Sequence, residues 1–287
     1  MRRNQGRVLW PALLIALPAL TALTFAASAR LRGSTPADAE IGRSQSSANR
    51  ARVKQAAYVR RSNLSPKLVW HLNALGDRLE KPGRERLSVT GTLSRATDSQ
   101  MEEVTAVFEF PDRLRLTRHK GNQTRVITFD GEQAKASEQP LDTVERDLLE
   151  TLVYGSAEHF FSTQMQGQAT RFLGSRFRID DGLSPDYDGP YYDVYKVADQ
   201  IKTSLEPREQ LRLYYLNSET LLLERACYEL SRNGSTVKVE EHIGGWTREQ
   251  GQQVPRRIER FENGESVFVL TVRTVGLSAR ANDGSFQ

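Results

Sequence analysis

A chain of 287 residues with 38% hydrophobic and 26% charged side chains has enough apolar material for a packed core and too much charge for a bundle of membrane helices. The formal net charge is +4. Arg2, Arg3 and Arg7 supply three of those charges at the extreme N-terminus, so no dense basic surface remains for nucleic acid. Cys227 is the single cysteine, which excludes an internal disulfide.

The N-terminus reads as an export signal. Arg2, Arg3 and Arg7 precede an uncharged stretch from Val8 to Ala29, and Ala27-Ser28-Ala29 has the small-x-small form of a signal-peptidase site. Cleavage after Ala29 is the simplest expectation. The stretch is also long enough to span a bilayer about 30 Å thick, so retention of residues 8–29 as an inner-membrane anchor is the alternative. Either way the expected location is periplasmic or extracytoplasmic, and no cysteine follows the apolar run as a lipid attachment site would require. Residues 1–29 are thus a signal peptide or anchor, and residues 30–63, rich in Ser, Ala, Arg and Gln, a flexible tether.

The folded part is expected over residues 64–287. Ser65 caps a helix with Pro66 at its first position, and Leu68, Leu72, Leu75 and Leu79 form its apolar stripe up to Pro82-Gly83. From Leu87 the period changes to alternation. Val104, Ala106, Phe108 and Phe110 point one way against Glu103, Thr105 and Glu109, with Val107 the exception. Leu114 and Leu116 repeat the scheme, as do Leu211, Leu213 and Tyr215 against Arg212. Further strands are expected at 124–129, 132–137, 170–179, 191–199, 221–231, 235–243, 255–262 and 265–275. Asp130-Gly131, Asn233-Gly234 and Asn263-Gly264 are their hairpin turns, because such pairs accept positive φ. Asp142 and Glu145 form a capping box before Val144, Leu148, Leu149 and Leu152, and a second short helix from Ser156 carries Phe160, Phe161 and Met165.

The fold class is therefore α+β, mainly antiparallel β: a curled half-barrel sheet of about eleven strands with a few helices across its concave face. At roughly 4.8 Å per strand such a sheet is about 50 Å wide. Three helices of about 10 Å diameter cover only some 30 Å of it. The expectation is an apolar hollow under the helices, the usual form of a small-molecule site. The alternative is that Phe108, Phe110, Tyr215 and Phe268 fill the interior.

The order of elements resembles the bacterial outer-membrane lipoprotein carrier (Lol-type) superfamily. The local likenesses are Phe110-Pro111-Asp112-Arg113-Leu114-Arg115, Phe129-Asp130-Gly131, Leu213-Tyr214-Tyr215-Leu216-Asn217 followed by Thr220, Val254-Pro255-Arg256-Arg257-Ile258, and Phe286 near the end. The resemblance implies a half-closed barrel with a helical lid whose cavity shields acyl chains of a lipoprotein or lipid. Where carriers place an arginine before the strand proline to hold the lid shut, this chain has Phe110, and an aromatic after the Asp-Gly turn is replaced at Lys135 or its neighbour, so it reads as a divergent member.

Signatures of catalysis are missing from the sequence. There is no G-x-S-x-G elbow and no H-E-x-x-H, and His71, His119, His159 and His242 are scattered. Glu240, Glu241 and His242 read as a solvated strand face. Asp180, Asp181, Asp186 and Asp188 crowd a loop without the spacing of an EF-hand. Tyr187, Tyr191, Tyr192 and Tyr195 suit strand packing or the rim of an apolar site. Cys227 shares the less apolar face with Arg225 and Glu229.

The expected function is therefore that of an exported, non-catalytic carrier of acyl chains, with no cofactor, no metal and no nucleic acid. Val104, Phe108, Phe110, Leu114, Leu116, Leu148, Leu152, Phe160 and Phe161 are the candidate cavity residues. The alternative is an envelope-stress sensor or scaffold acting through a membrane-bound protein partner.

Overall fold

The computed structural model describes residues 61–96, 98–179, 188–204, 207–232, 234–281 and 286. The expected export signal or anchor, most of the tether, Asp180, Asp181, Asp186, Tyr187 and Asn233 lie outside the described residues. No helix among the described residues is long and apolar enough to cross a membrane.

The first helix, α1, runs Pro66–Leu75, with the Ser65 side chain accepting from Leu68 N and Pro66 at the first position. It stops well before Pro82-Gly83. Gly76 takes φ +112°, and its N–H donates to Leu72 O, so the left-handed turn comes at the first residue that tolerates it. Leu79, expected on the helix, follows in the next turn and still packs on the core. Helix α2, Thr143–Tyr154, begins with the complete Asp142–Glu145 capping box, and α3, Ala157–Met165, begins at Ser156.

Fourteen strands are formed among the described residues. In chain order they are β1 Arg86–Arg95, β2 Asp98–Glu109, β3 Arg113–Lys120, β4 Gln123–Phe129 and β5 Ala134–Ala136; then β6 Thr170–Phe177, β7 Tyr192–Ile201, β8 Arg208–Asn217, β9 Leu223–Arg232 and β10 Ser235–Gly244; and finally β11 Thr247–Glu249, β12 Gln252–Val254, β13 Arg257–Glu262 and β14 Glu265–Ser278. Twelve of them make one antiparallel sheet in the order β5-β4-β3-β2-β1-β14-β13-β10-β9-β8-β7-β6, and β11–β12 is a separate hairpin. The sheet is open, a curled half-barrel with two margins, β5 and β6. Asn263 and Gly264, both at positive φ, turn β13 into β14, and Gly131 at φ +95° turns β4 into β5. The β6 margin is uneven: its register with β7 slips at Gly174 and again before Phe177, and Arg176 sits at φ +59°.

The last strand closes against the first, so β1 is flanked by β2 and β14. Gly91 stands where the β1–β14 register shifts, and a Cβ there would lie 2.1 Å from Thr271 O. Two large apolar clusters occupy the interior, beside a small third one of Tyr228, Leu230 and Val239. One joins Leu87, Val89, Leu116, Phe129 and Phe268 to Leu148, Leu149 and Leu152 of α2. The other joins Leu68, Leu72 and Leu75 of α1 and Phe160 and Phe161 of α3 to Tyr195, Tyr214 and Leu216.

Three expectations about facing are overturned. In β8 the phase is the reverse of the one expected: Leu211 is 50% exposed while Arg212 and Tyr214 are fully buried. The reason is chemical, because Arg212 meets two interior carboxylates and the ring of Tyr228. Glu241 is likewise fully buried among arginines rather than solvated. Glu109 is also fully buried, facing Arg113 at 3.2 Å and Arg280 at 3.7 Å, with Phe286 against the Arg113 guanidinium. By contrast Cys227, half-buried between Leu213 and Glu240, lies on the expected face.

Gly91→Ala forces its methyl into the backbone carbonyl of Thr271, a contact with no flexible side chain to yield. The substitution should cost about 2 kcal/mol or more in urea unfolding, whereas Gly276→Ala, in open space on β14 and without a positive φ, should cost less than half of that.

Candidate functional site

The helices meet the sheet through charge as well as through apolar contact. On α2 the leucines at 148, 149 and 152 enter the first cluster, while Glu145, Asp147 and Glu150 reach arginines of the sheet. Glu145 Oε1 accepts from Arg118 at 2.9 Å and from Arg125 at 2.5 Å, and Glu102 holds the other side of Arg118. Asp147 pairs with Arg232 at 2.8 Å and Arg260 at 3.3 Å. Glu150 pairs with Arg212 and Arg208, each at 2.6 Å. Glu241 continues the chain of charges, at 3.2 Å from Arg212 and accepting from Thr151 and Tyr228. On α3 Glu158 is gripped by Arg78 at 2.6 and 2.9 Å.

Burial opposes the ionisation of Asp147 and Glu150, and the partners decide the outcome. Desolvation would raise the pKa of Glu150, but Arg212 and Arg208 outweigh it and hold it below the usual range. For Asp147 desolvation wins over Arg260 and Arg232, and the pKa is raised.

Two of the histidines serve the same structural purpose. His71 bridges Leu221 O and Asp193, each at 2.9 Å, and His159 meets Asp199 at 3.1 Å, while Tyr214 donates to Asp199 at 2.6 Å. Among the described residues no group of three His, Cys, Asp or Glu side chains could hold a metal ion. Burial pushes the Cys227 thiol up to about 12.

The ladder leaves one apolar gap, where α2 passes into α3 at Gly155-Ser156. A cavity of about 50 Å³ lies there, walled by Leu87 and Val89 of β1, Leu270 and Val272 of β14, and Leu152 and Val153 of α2. Phe108 and Phe110 approach it from the end of β2, Ile258 from β13, and Trp246 from the turn after β10. The indole Nε1–H of Trp246 is buried without an acceptor. Asp112 also lines it. Two larger clefts, of about 410 and 490 Å³, are lined mainly by polar side chains, among them the ladder residues Asp147, Glu150, Arg208 and Arg232 in the larger.

Of the nine sequence candidates, Phe108, Phe110 and Leu152 line the apolar cavity. Val104, Leu114, Leu116 and Leu148 are buried in the first cluster, and Phe160 and Phe161 in the second. Trp246, Ile258, Val272 and Asp112 line the cavity as well. Their strands come from opposite ends of the chain, and local alternation carries no sign of which residues face one gap.

No family model and no curated protein matches the sequence. Solved structures similar to the chain include a LolA superfamily protein from Nitrosomonas europaea, at 12% identity and a TM-score of 0.47 over 76% of this chain and 96% of that one. A domain named for outer membrane lipoprotein sorting, from Vibrio parahaemolyticus, is 9% identical, with a TM-score of 0.45 over 77% and 94%. A DUF1329 family protein from Desulfovibrio piger is 10% identical, with a TM-score of 0.43 over 81% and 96%. Two of the three are named for the LolA superfamily or for outer membrane lipoprotein sorting.

Glu150→Gln removes the charge that Arg212 and Arg208 share, and should cost about 3 kcal/mol at neutral pH. Because the folded pKa of Glu150 is depressed, its contribution is present above about pH 4.3 and lost as pH falls through the lower folded value. The variant's stability should therefore fall less steeply than wild type below that pH, as followed by urea unfolding across a pH series. For Cys227, alkylation by iodoacetamide at neutral pH should be much slower in the folded protein than in urea, with mass spectrometry as the readout.

Proposed function

We propose that this protein is an exported, non-catalytic binder that takes the apolar chain of a lipid or lipoprotein between its sheet and the α2–α3 junction. The observation that carries the reading is the cavity itself. It is the place where aliphatic and aromatic side chains of β1, β2, β13, β14 and α2 meet across the concave face, with the Glu109–Arg113 ion pair among its lining.

At about 50 Å³ the cavity holds only a few water-sized groups, whereas pockets for small molecules run from roughly 300 Å³ upward. An acyl chain therefore enters by parting the walls. The wall with the least hold on the sheet is the β11–β12 hairpin, which lies outside the twelve-stranded ladder and contributes Val254 beside Trp246. Gln252 ties it to α1 and the turn that follows, accepting from Arg78 N at 2.9 Å and donating to Asp77 at 2.7 Å. The arginine-before-proline latch of carriers is replaced by Phe110, so the helices are held instead by the carboxylate–arginine ladder.

A neutral apolar dye whose emission rises on burial tests the reading. It should bind saturably at one site per chain and be displaced by long-chain alcohols. Ile258→Trp, which fills the cavity, should weaken binding about tenfold or more, equivalent to about 1.4 kcal/mol, while the protein stays folded by circular dichroism. A wild-type protein that takes up no dye, or an Ile258→Trp variant that binds as well as wild type, would overturn it.

A further inference from the structure

Among the described residues Asp112 is the one charged group lining the apolar cavity whose side chain has no hydrogen bond or ion pair. It lies in the turn between β2 and β3, half-buried, with its side chain packed on Gly131: a Cβ at that glycine would come within 2.8 Å of Oδ2. The basic side chains near Asp112 are engaged elsewhere. His159 faces Asp199 at 3.1 Å, Lys202 pairs with Glu132 at 2.6 Å, and Arg113 pairs with Glu109 at 3.2 Å and lies over the Phe286 ring. The other acids at the cavity are answered: Glu158 by Arg78, and Glu109 by Arg113, although Glu109 Oε1 and Arg113 Nε each lack a partner. Desolvation raises the pKa of Asp112 by more than the neighbouring basic groups lower it, the expected sign of a carboxylate held in partly dry surroundings with no bonded partner.

A carboxylate in that position is costly alone and costlier beside a second anion, while a bound ammonium would relieve it through a charge-assisted hydrogen bond. We propose that the cavity discriminates among single-chain amphiphiles by the sign of the head, favouring an alkylammonium over an alkyl carboxylate, and that Asp112 is the residue that makes the distinction. The inference rests on the cavity being the ligand site, and it adds which head group accompanies the chain.

Displacement of the neutral dye by dodecylamine, dodecanol and dodecanoate at neutral pH reads the selectivity with chain length held constant. The amine should displace the dye best and the carboxylate worst, with the two separated by about tenfold or more. In Asp112→Asn the ratio of amine to alcohol affinity should fall toward one, a ratio taken within one protein so that any change in the cavity's shape cancels. Lys202→Gln removes a cation from the neighbourhood of Asp112 and should widen the ratio. Equal displacement by amine and carboxylate, or an Asp112→Asn ratio equal to that of wild type, overturns the head-group proposal while leaving chain binding in place. A wild-type protein that binds no dye overturns both.

Discussion

The pairing of helix carboxylates with sheet arginines is the constraint on which the rest of the structure depends. Glu145, Asp147, Glu150 and Glu158 each leave water to meet guanidinium groups on strands or on the turn after α1. Such pairs gain little over a well-packed apolar interior, because desolvation consumes most of the Coulombic attraction. What they supply is position. A leucine stripe alone could slide along the concave face, whereas three acids on α2 matched to Arg118, Arg232, Arg260 and Arg212 admit one register.

The same ladder explains why the concave face is mostly filled, although helices alone are too few to cover it. Arginine stems are long and apolar, and those of Arg78, Arg212 and Arg260 are among the largest fully buried side chains. They occupy the area that a comparison of strand and helix widths assigns to a hollow. The vacant part shrinks to the stretch beyond the reach of the ladder, at the α2–α3 junction, where the walls are aliphatic.

Much of the fold is legible in local chemistry. Ser65-Pro66, the Asp142–Glu145 box and Ser156 mark three helix starts, and the Asp-Gly and Asn-Gly pairs mark turns. Alternation places Leu87, Val89, Leu114 and Leu116 inward. It fails in β8, where Leu-Arg-Leu-Tyr-Tyr-Leu has apolar residues in both phases. The deciding partners of Arg212, Glu150 and Glu241, are 62 and 29 residues away. Glu241 is misread for the same reason. The end of α1 turns on Gly76, where a Cβ would strike Gln252, a neighbour remote in sequence. The candidate site is less legible still, because its walls are drawn from β1, β13, β14, α2 and the turn after β10.

An open twelve-stranded sheet leaves two rows of backbone polar groups at its flanks, and each is a template on which a foreign strand could assemble. One flank offers only the three residues of β5. The other, β6, slips register twice, twists through Gly174 and Arg176, and carries Arg171 and Arg176, with Arg178 just past its end. A strand seeking a long, flat, neutral companion finds a kinked and cationic one. The half-barrel thus stays open along one flank too short and another too bent to offer a newcomer an even row of partners.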